Sequence, residues 1–453
     1  MFGSGSMKDP IICLPKETIK DLNLTPGERV LFKLGLQDFQ VQIRHADGVN
    51  DSPCFLLNGR RGLGLLPGTK VQLSKSDRGL ELGPLLGILC SGNPAQLHWT
   101  ELELARCIIR LGQELGIVPY LVSPDSLDID RKQAFGYTVK DEDRTWYLEP
   151  IPFPAVFYNR VYTLPNPEAE IRYNLLLTLA EKDELKIYNR SRLDKWRLHQ
   201  LLQGPSKLEV NIPQTKAYTW SHLVEFGRTY PFVYLKPCSS SLSKGLIRIS
   251  DQAGKYLCEY YNDMGEKQEK TTQDPEEIAA VMEPNQDYLV QQGIALASME
   301  DRPVDFRVHV HKDGEGIWQL VCMAGRLGGV HGVSTRPSFG GLREPAPALL
   351  GRLFPGQEEE YAKRLTAAAL SLAQYLDGTI ETGLGELGID LGFDSEGRLW
   401  LFEANERPSG YHLLAAVSGA YKRLGTFILE YSRYLSKTNS PALAKLPVID
   451  KDE

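Results

Sequence analysis

The chain has 453 residues, 42% of them hydrophobic and 24% charged, with a formal net charge of -7. That composition excludes a disordered chain, and the negative balance weighs against nonspecific nucleic-acid binding. The length exceeds one ordinary core and predicts roughly two to four domains.

No apolar run approaches the roughly 18 to 20 residues that cross a bilayer, so no membrane partner is expected. Residues 1–7, Met1-Phe2-Gly3-Ser4-Gly5-Ser6-Met7, lack a basic region followed by an apolar one. They read as an appended cloning scar before a second methionine. Seven cysteines, at 13, 54, 90, 107, 238, 258 and 322, are scattered and never form Cys-x-x-Cys. Reduced thiols in a cytoplasm are expected, rather than a zinc site or a disulfide framework.

Residues 8–84 hold a faint repeat. Leu24-Thr25-Pro26-Gly27-Glu28-Arg29-Val30-Leu31-Phe32 recurs as Leu65-Leu66-Pro67-Gly68-Thr69-Lys70-Val71-Gln72-Leu73, and second strands follow over 39–43 and 79–82. Two similar β-rich halves predict a small pseudo-symmetric β-barrel, whose closure removes exposed edges. It carries no catalytic set and reads as a structural or docking module.

From 85 the pattern becomes α/β. Strands are predicted over 85–90, 117–122, 155–158 and 187–189, helices over 99–115 and 168–182, and a hairpin over 135–149. This βαβ style argues for a small open α/β layer over 85–190. No Gly-x-Gly-x-x-Gly follows its first strand, which leaves a Rossmann site little support. Trp99, Trp146 and Trp220 read as packing residues.

A helix over 192–202 comes next, then a strand over 232–237 that ends in Lys236-Pro237. The small-residue loop Ser239-Ser240-Ser241-Leu242-Ser243-Lys244-Gly245 leads into a strand over 246–249. Residues 262–274 are polar and read as an exposed, mobile hairpin or loop. A strand over 288–292, an antiparallel pair over 306–310 and 318–322, and a long helix over 359–376 follow. A last helical stretch is predicted over 413–435, and 437–453 reads as a loose tail.

The most informative stretch is 386–409. It predicts two apolar strands joined by the turn Asp394-Ser395-Glu396-Gly397, with Phe393 pairing Arg398 and Asp390 opposite Leu401. Alternation then puts Leu401, Glu403 and Asn405 on one face, joined by Asp390. Two carboxylates and an amide oxygen form a hard-oxygen set suited to Mg²⁺, which commonly bridges to nucleotide phosphates.

The order of these elements resembles the ATP-grasp superfamily, and more closely its YheC/YheD-like, endospore coat-associated branch. The carrying residues are Lys195-Trp196, Ile212-Pro213, Lys236-Pro237, Gln291-Gln292, Asp305-Phe306-Arg307, Gly325-Arg326, Gly340-Gly341 and Trp400 to Ser409, with Phe157-Tyr158-Asn159-Arg160 upstream. The likeness spans about residues 155 to 435. It implies an α/β and α+β multidomain protein, an ATP-grasp fold preceded by the β-barrel and by a pre-ATP-grasp α/β domain. The N-terminal ATP-grasp subdomain would span 191–292 and the C-terminal catalytic subdomain 293–436.

Carried over residue by residue, the resemblance implies that Lys195 and Lys236 contact ATP phosphates and that the loop from Ser239, Ser240 and Ser241 to Gly245 closes over them. Gln291, Gln292 and Ile294 would lie along adenine. Asp390, Glu403 and Asn405 would hold one or two Mg²⁺ ions, and Arg307 and Arg326 would face the transferred phosphoryl group. Glutamines stand where many members carry an acid before the adenine strand, which leaves the ribose contacts unassigned.

The implied activity is an ATP-dependent carboxylate–amine ligase that works through an acyl phosphate and releases ADP and phosphate. A small-molecule kinase and a non-catalytic coat-assembly protein are the alternatives. The carboxylate and amine are not legible; a peptide or coat protein is among the options. The family name adds the endospore coat to a cytoplasmic location. Several residues have plainer readings. Asp305 is expected to orient Arg307, and His309 and His311 read as ordinary strand histidines. Arg407 to Gly410 either shape the acceptor pocket or do not. Arg336 and Arg343 are either solvated or hold a substrate carboxylate.

Overall fold

Side-chain alternation along five strands builds the sheet on which Arg307, Arg326, Asp390, Glu403 and Asn405 stand. The computed structural model describes residues 10–45, 54–57, 60–61, 71–76, 79–139, 145–190, 193–204, 208–239, 244–335, 341–381, 383–408, 411–436 and 444–446. The chain divides into two units: 1–190 with 312–317 and 421–453, and 191–311 with 318–420.

The first unit holds two sheets. In one, the neighbouring strands run Ala444–Leu446, Val71–Ser76, Gly79–Leu82, Arg29–Leu34, Gln37–His45, Ile11–Leu14, Cys54–Leu57 and Arg60–Arg61. The two predicted half-repeats appear as the antiparallel pairs 29–45 and 71–82, joined by parallel pairing of Phe32 with Leu80. Residues 65–70 of the second copy lie outside the described residues. The path ends on two edge strands with no pairing between them among the described residues.

The other sheet has parallel neighbours Val118–Val122, Leu85–Leu89, Val156–Asn159 and Lys186–Tyr188, extended by the antiparallel strands Gln133–Val139 and Trp146–Pro152. The helix Trp99–Leu115 starts on a His98 cap and stops at Gly116, whose φ of 70° suits only glycine well. Trp99 is 53% exposed rather than packed, because it is the first residue of that helix and points off its apolar face.

The stretch over 413–435 is not one helix. It forms a single turn, His412–Ala415, and a helix, Ala420–Ser436, which the Gly419 turn at φ 74° separates. Residues from Tyr421 onward group with the first unit, where Arg433 donates to the Leu115 carbonyl at 2.7 Å and Tyr431 packs edge-on against Tyr188.

The second unit also holds two sheets. The first runs Thr215–Ala217, Tyr288–Gln292, Val233–Pro237, Ile247–Gln252, Lys255–Tyr261 and Lys267–Thr272, antiparallel throughout. The polar segment over 262–274 is thus largely an ordered edge strand with charged side chains, a common guard against edge-to-edge pairing. Leu223, Phe226, Val233, Leu235, Ile247 and Val290 form its core.

The second sheet runs Leu342–Pro345, Trp318–Leu327, Arg302–Lys312, Glu386–Phe393 and Leu399–Asn405. The helix Glu358–Thr379 buries Leu365, Ala368, Ala369, Leu372, Ala373 and Leu376 at helical spacing. Against it the sheet turns Val304, Phe306, Val308 and Val310 from one strand and Leu387, Ile389, Leu391 and Phe393 from the next. Fully burying each such side chain contributes about 1.5–3 kcal/mol. Alternation leaves Asp305, Arg307, His309 and His311, and Glu386, Gly388, Asp390 and Gly392, for the opposite face.

Candidate active site

The metal-bearing hairpin forms, but its register differs from the expected one. Asp394 pairs with Arg398 around a three-residue tip, with Gly397 at φ 75°. Phe393 therefore faces Leu399, and Leu391 faces Leu401. A β-bulge then inserts Phe402, so that Asp390 comes opposite Glu403 and not Leu401. The bulge flips the face of the second strand: Leu401 enters the core, while Glu403 and Asn405 stay on the polar side with Asp390. Asp394 anchors the tip, accepting from Trp400 Nε1 at 2.8 Å and Arg398 Nε at 2.7 Å.

Asp390 is 6% exposed and sits between two guanidiniums. Arg307, directly opposite on the ladder, grips both its oxygens, with Nη2 3.1 Å from Oδ2. Arg326 Nη2 lies 3.1 Å from Oδ2 as well. Burial by itself would raise the Asp390 carboxyl, but these two cations outweigh it and hold the group below the usual carboxylate value.

Contrary to expectation, Asp305 does not orient Arg307; it holds Arg326, with Nε and Nη2 donating at 2.6 and 2.7 Å, and Thr335 Oγ1 donates a further bond at 2.6 Å. Residues two apart on a strand share a face but stand about 6.6 Å apart, farther than cross-strand neighbours, so each acid takes the arginine on the next strand. Burial pushes the Asp305 carboxyl up against the pull of Arg326, and the charge of Asp390 adds to the rise.

Glycines make room for this chemistry. A Cβ on Gly388 would meet Arg307 Nη1 at 2.9 Å and Pro408 Cβ at 2.6 Å. One on Gly392 would meet Leu296 at 2.7 Å and Phe402 at 2.8 Å. The alternation Gly388, Asp390, Gly392 was the available signal for a crowded polar face. Farther along it, His309 Nε2 lies 2.7 Å from Oε1 of the fully buried Glu386. Both residues escaped sequence reading as a pair, because their strands are far apart in the chain.

The two predicted lysines reach the same place. Lys195, at the start of the helix Lys195–Leu202, puts Nζ 3.6 Å from Glu403 Oε1. That helix starts at 195 rather than 192, where Asp194 caps it by accepting from Arg197 N at 2.7 Å. Lys236 shares a strand face with Tyr234, whose hydroxyl donates to the Val333 carbonyl at 3.1 Å. Burial lowers the Lys236 ammonium to about 8; Glu403 and Asp390 offset part of that fall, and Lys195 deepens it.

Other predicted residues stand apart or serve the scaffold. Gln291 Nε2 donates to Thr215 Oγ1 at 2.9 Å, and Gln292 Oε1 accepts from Gln214 N at 3.1 Å, so both side chains lace the edge strand in place. Ile294 is buried just past Gly293, where the backbone passes so close to Phe232 that a Cβ would lie 2.2 Å from its ring. Ser239 is exposed at the start of the small-residue loop, and Gly245 closes it at φ 70°, its carbonyl accepting from Tyr288 Oη at 3.2 Å. Ser240 and Ser241 lie outside the described residues, as do Arg336, Ser409 and Gly410. Arg407 Nη2 is 3.9 Å from Glu406 Oε1.

Asp390, Glu403 and Asn405 thus share one face and offer oxygen only, a donor set that fits a hard cation such as Mg²⁺. Among the described residues no group of three His, Cys, Asp or Glu is placed to hold a metal. Two carboxylates with one amide oxygen leave a shell for water and phosphate oxygens to complete, which is the usual state of Mg²⁺ beside a nucleotide.

This chain is 27% identical over 377 residues to the endospore coat-associated protein YheD of Bacillus subtilis (strain 168), covering 80% of this chain and 81% of that protein. It is 24% identical over 348 residues to YheC of the same organism, covering 75% and 94%. A solved structure of the ATP-grasp ligase PsnB, complexed with minimal precursor, Mg and ADP, aligns with a TM-score of 0.45 at 11% identity, over 77% of this chain and 97% of that one. No helix among the described residues is long and apolar enough to cross a membrane. Residues 184–435, more than half of the chain, match the family described as YheC/D like ATP-grasp, and the protein belongs to that family.

Proposed function

We propose that this protein is an ATP- and Mg²⁺-dependent ligase that joins a carboxylate to an amine. One observation carries the reading: Lys195 and Lys236, the carboxylates of Glu403 and Asp390, and the guanidiniums of Arg307 and Arg326 converge on one polar sheet face. Phosphoryl transfer is mainly positioning and charge neutralisation, and these residue types supply both. Lys195 and Lys236 bind the phosphates of ATP. Asp390, Glu403 and Asn405 hold the cation, which when bound neutralises phosphate charge. Arg307 and Arg326, fixed by Asp390 and Asp305, face the phosphoryl group in transfer.

A carboxylate oxygen of the substrate attacks the γ-phosphorus as the bond to ADP breaks. The amine nitrogen then attacks the carbonyl carbon of the acyl phosphate, loses a proton, and phosphate departs with its bonding pair. The names of the curated relatives support a place for this reaction in the endospore coat. Calorimetry of ATP with and without Mg²⁺, on wild type and Glu403→Gln, tests the nucleotide site. Mg-dependent binding that weakens in the variant is expected; identical titrations would remove Glu403 from the metal. ADP release that needs both a carboxylate and an amine distinguishes a ligase from a kinase, which needs one acceptor.

A further inference from the structure

Amide formation releases a proton, and the acids around the phosphoryl-facing arginines are already engaged. Asp305 and Asp390 give their oxygens to Arg326 and Arg307, and Glu403 stands beside Lys195 at the cation site. Farther along the same polar face lies a second set of titratable side chains, His309, Glu386 and Tyr411, that phosphoryl transfer does not use.

His309 is two residues beyond Arg307 on its strand, so the two share a face about 6.6 Å apart. It stands opposite Gly388, which pairs in turn with Asn405. His309 and Asn405 thus occupy one row of the sheet, two strand spacings or roughly 10 Å apart, with a glycine between them. His309 Nε2 lies 2.7 Å from Glu386 Oε1, and Tyr411 Oη donates a long bond of 3.5 Å to the same oxygen. An ionised carboxylate only accepts, so the imidazole proton sits on Nε2 and the lone pair on Nδ1. Nδ1 makes no hydrogen bond to a described residue and is not sealed from solvent. The Tyr411 ring lies nearly parallel to the imidazole, 16° off with centroids 6.3 Å apart, which limits its rotation. Glu386 is fully buried, a costly place for a carboxylate, and it fixes the tautomer and the aim of this imidazole. His311, the next residue on this face, is fully buried and out of a substrate's reach.

We propose that His309, positioned by Glu386, is the general base of the amide-forming step. This rests on the ligase reading and adds the group that takes the amine proton. As the amine nitrogen bonds to the carbonyl carbon of the acyl phosphate, its N–H bond breaks and the proton passes to Nδ1. The bond from that carbon to the phosphate oxygen breaks, and phosphate leaves with the electron pair. The imidazolium, countered by Glu386, then returns its proton to water. The spacing suits this role. The acyl carbon is one oxygen removed from the phosphorus, and an amine ready to attack lies roughly 3–3.5 Å from that carbon. Its base belongs one side-chain step beyond the arginine that faces the phosphorus, which is where His309 stands.

Two measurements test this. Nitrogen NMR of the imidazoles in isotopically labelled full-length protein, with His309 assigned by the signals lost in His309→Gln, reads the tautomer at mildly alkaline pH. The Nε2–H form is expected, and Glu386→Gln is expected to lose that preference. A proton on Nδ1 in the wild type overturns the proposal. The second measurement follows dipeptide formation and ADP release from Mg-ATP with a mixture of the common amino acids, which supplies carboxylates and amines together. His309→Gln is expected to lower dipeptide formation about 100-fold or more, with nucleotide affinity unchanged within about twofold as the check on folding. Hydroxylamine, whose nitrogen loses its proton to water once bonded to carbon, is expected to restore ADP release in His309→Gln by trapping the acyl group as a hydroxamate. Unaltered dipeptide formation in His309→Gln overturns the proposal. So does a loss that hydroxylamine leaves unrestored, since His309 then serves phosphoryl transfer or the fold. If the wild type releases no ADP with either amine, the ligase reading fails for amino acids, and the tautomer still decides whether His309 offers a lone pair to a proton.

Discussion

Two strands of this protein are buried along their whole length for opposite reasons. Leu85–Leu89 in the parallel sheet is apolar on both faces, the usual state of a strand covered on both sides. Glu386–Phe393 is just as buried, but one of its faces carries Glu386, Gly388, Asp390 and Gly392. The first strand gains from every residue it hides. The second hides carboxylates, which cost several kcal/mol each to desolvate unless paired. At Asp390 that cost is offset by Arg307 on the neighbouring strand and by Arg326 on the strand beyond it. Burial alone therefore does not distinguish scaffold from site; what is buried does.

Substitutions at matched positions separate the two kinds of strand. The largest effect is expected from Asp390→Ala, which leaves two guanidiniums without their shared anion and costs about 3–5 kcal/mol. Urea denaturation measures it, and Mg-dependent nucleotide binding disappears alongside. Leu86→Ala in the parallel sheet costs a similar ~2–5 kcal/mol through a cavity, yet leaves nucleotide affinity per folded molecule unchanged. Loss of nucleotide binding in both variants would erase the contrast.

Glycines give a finer version. A Cβ on Gly87 would lie 2.6 Å from Phe157 Cδ1, and one on Gly388 2.6 Å from Pro408 Cβ and 2.9 Å from Arg307 Nη1. Both alanine variants are expected to lose about 1–3 kcal/mol by overpacking. Only Gly388→Ala moves Arg307, so it alone is expected to depress ATP-dependent turnover.

Lys236 supplies a pH signature. With its ammonium lowered to about 8, the free protein sheds this proton as pH rises through that value. Bound phosphates favour the charged form, so binding at pH 8–9 takes up a proton and nucleotide affinity falls with rising pH. Titrations in buffers of different ionisation enthalpy read the uptake directly. Lys236→Ala abolishes it and weakens ATP by about 1.5–3 kcal/mol, the worth of a hydrogen bond to a charged group. The smallest stability change belongs to Glu403→Gln. Its 3.6 Å pair with Lys195 is partly exposed and contributes at most ~1 kcal/mol, so a melting shift larger than a few degrees contradicts the site geometry.

The hairpin shows how far sequence reading reached. The alternation of Leu387, Ile389, Leu391 and Phe393 with Gly388, Asp390 and Gly392 is visible in the chain, and so is the gathering of Asp390, Glu403 and Asn405 on one face. That conclusion held although the register behind it did not: two departures, a shorter tip and the Phe402 bulge, acted in opposite senses on the strand's face. Lys236 was legible at the end of a readable strand, whereas Lys195 was picked only through the family resemblance, because the helix expected from 192 placed it inside an element. Ser240 and Ser241 remain expectations only.

By itself, then, the sequence determined which residues each strand offers to which side, because side-chain direction along a strand is a local property with a period of two. Tertiary structure alone decided the partners. Asp305 took Arg326, Asp390 took Arg307, and Glu386 took His309. Those choices depend on cross-strand register and on the summed field of charges from segments as much as 83 residues apart, and no local pattern encodes them.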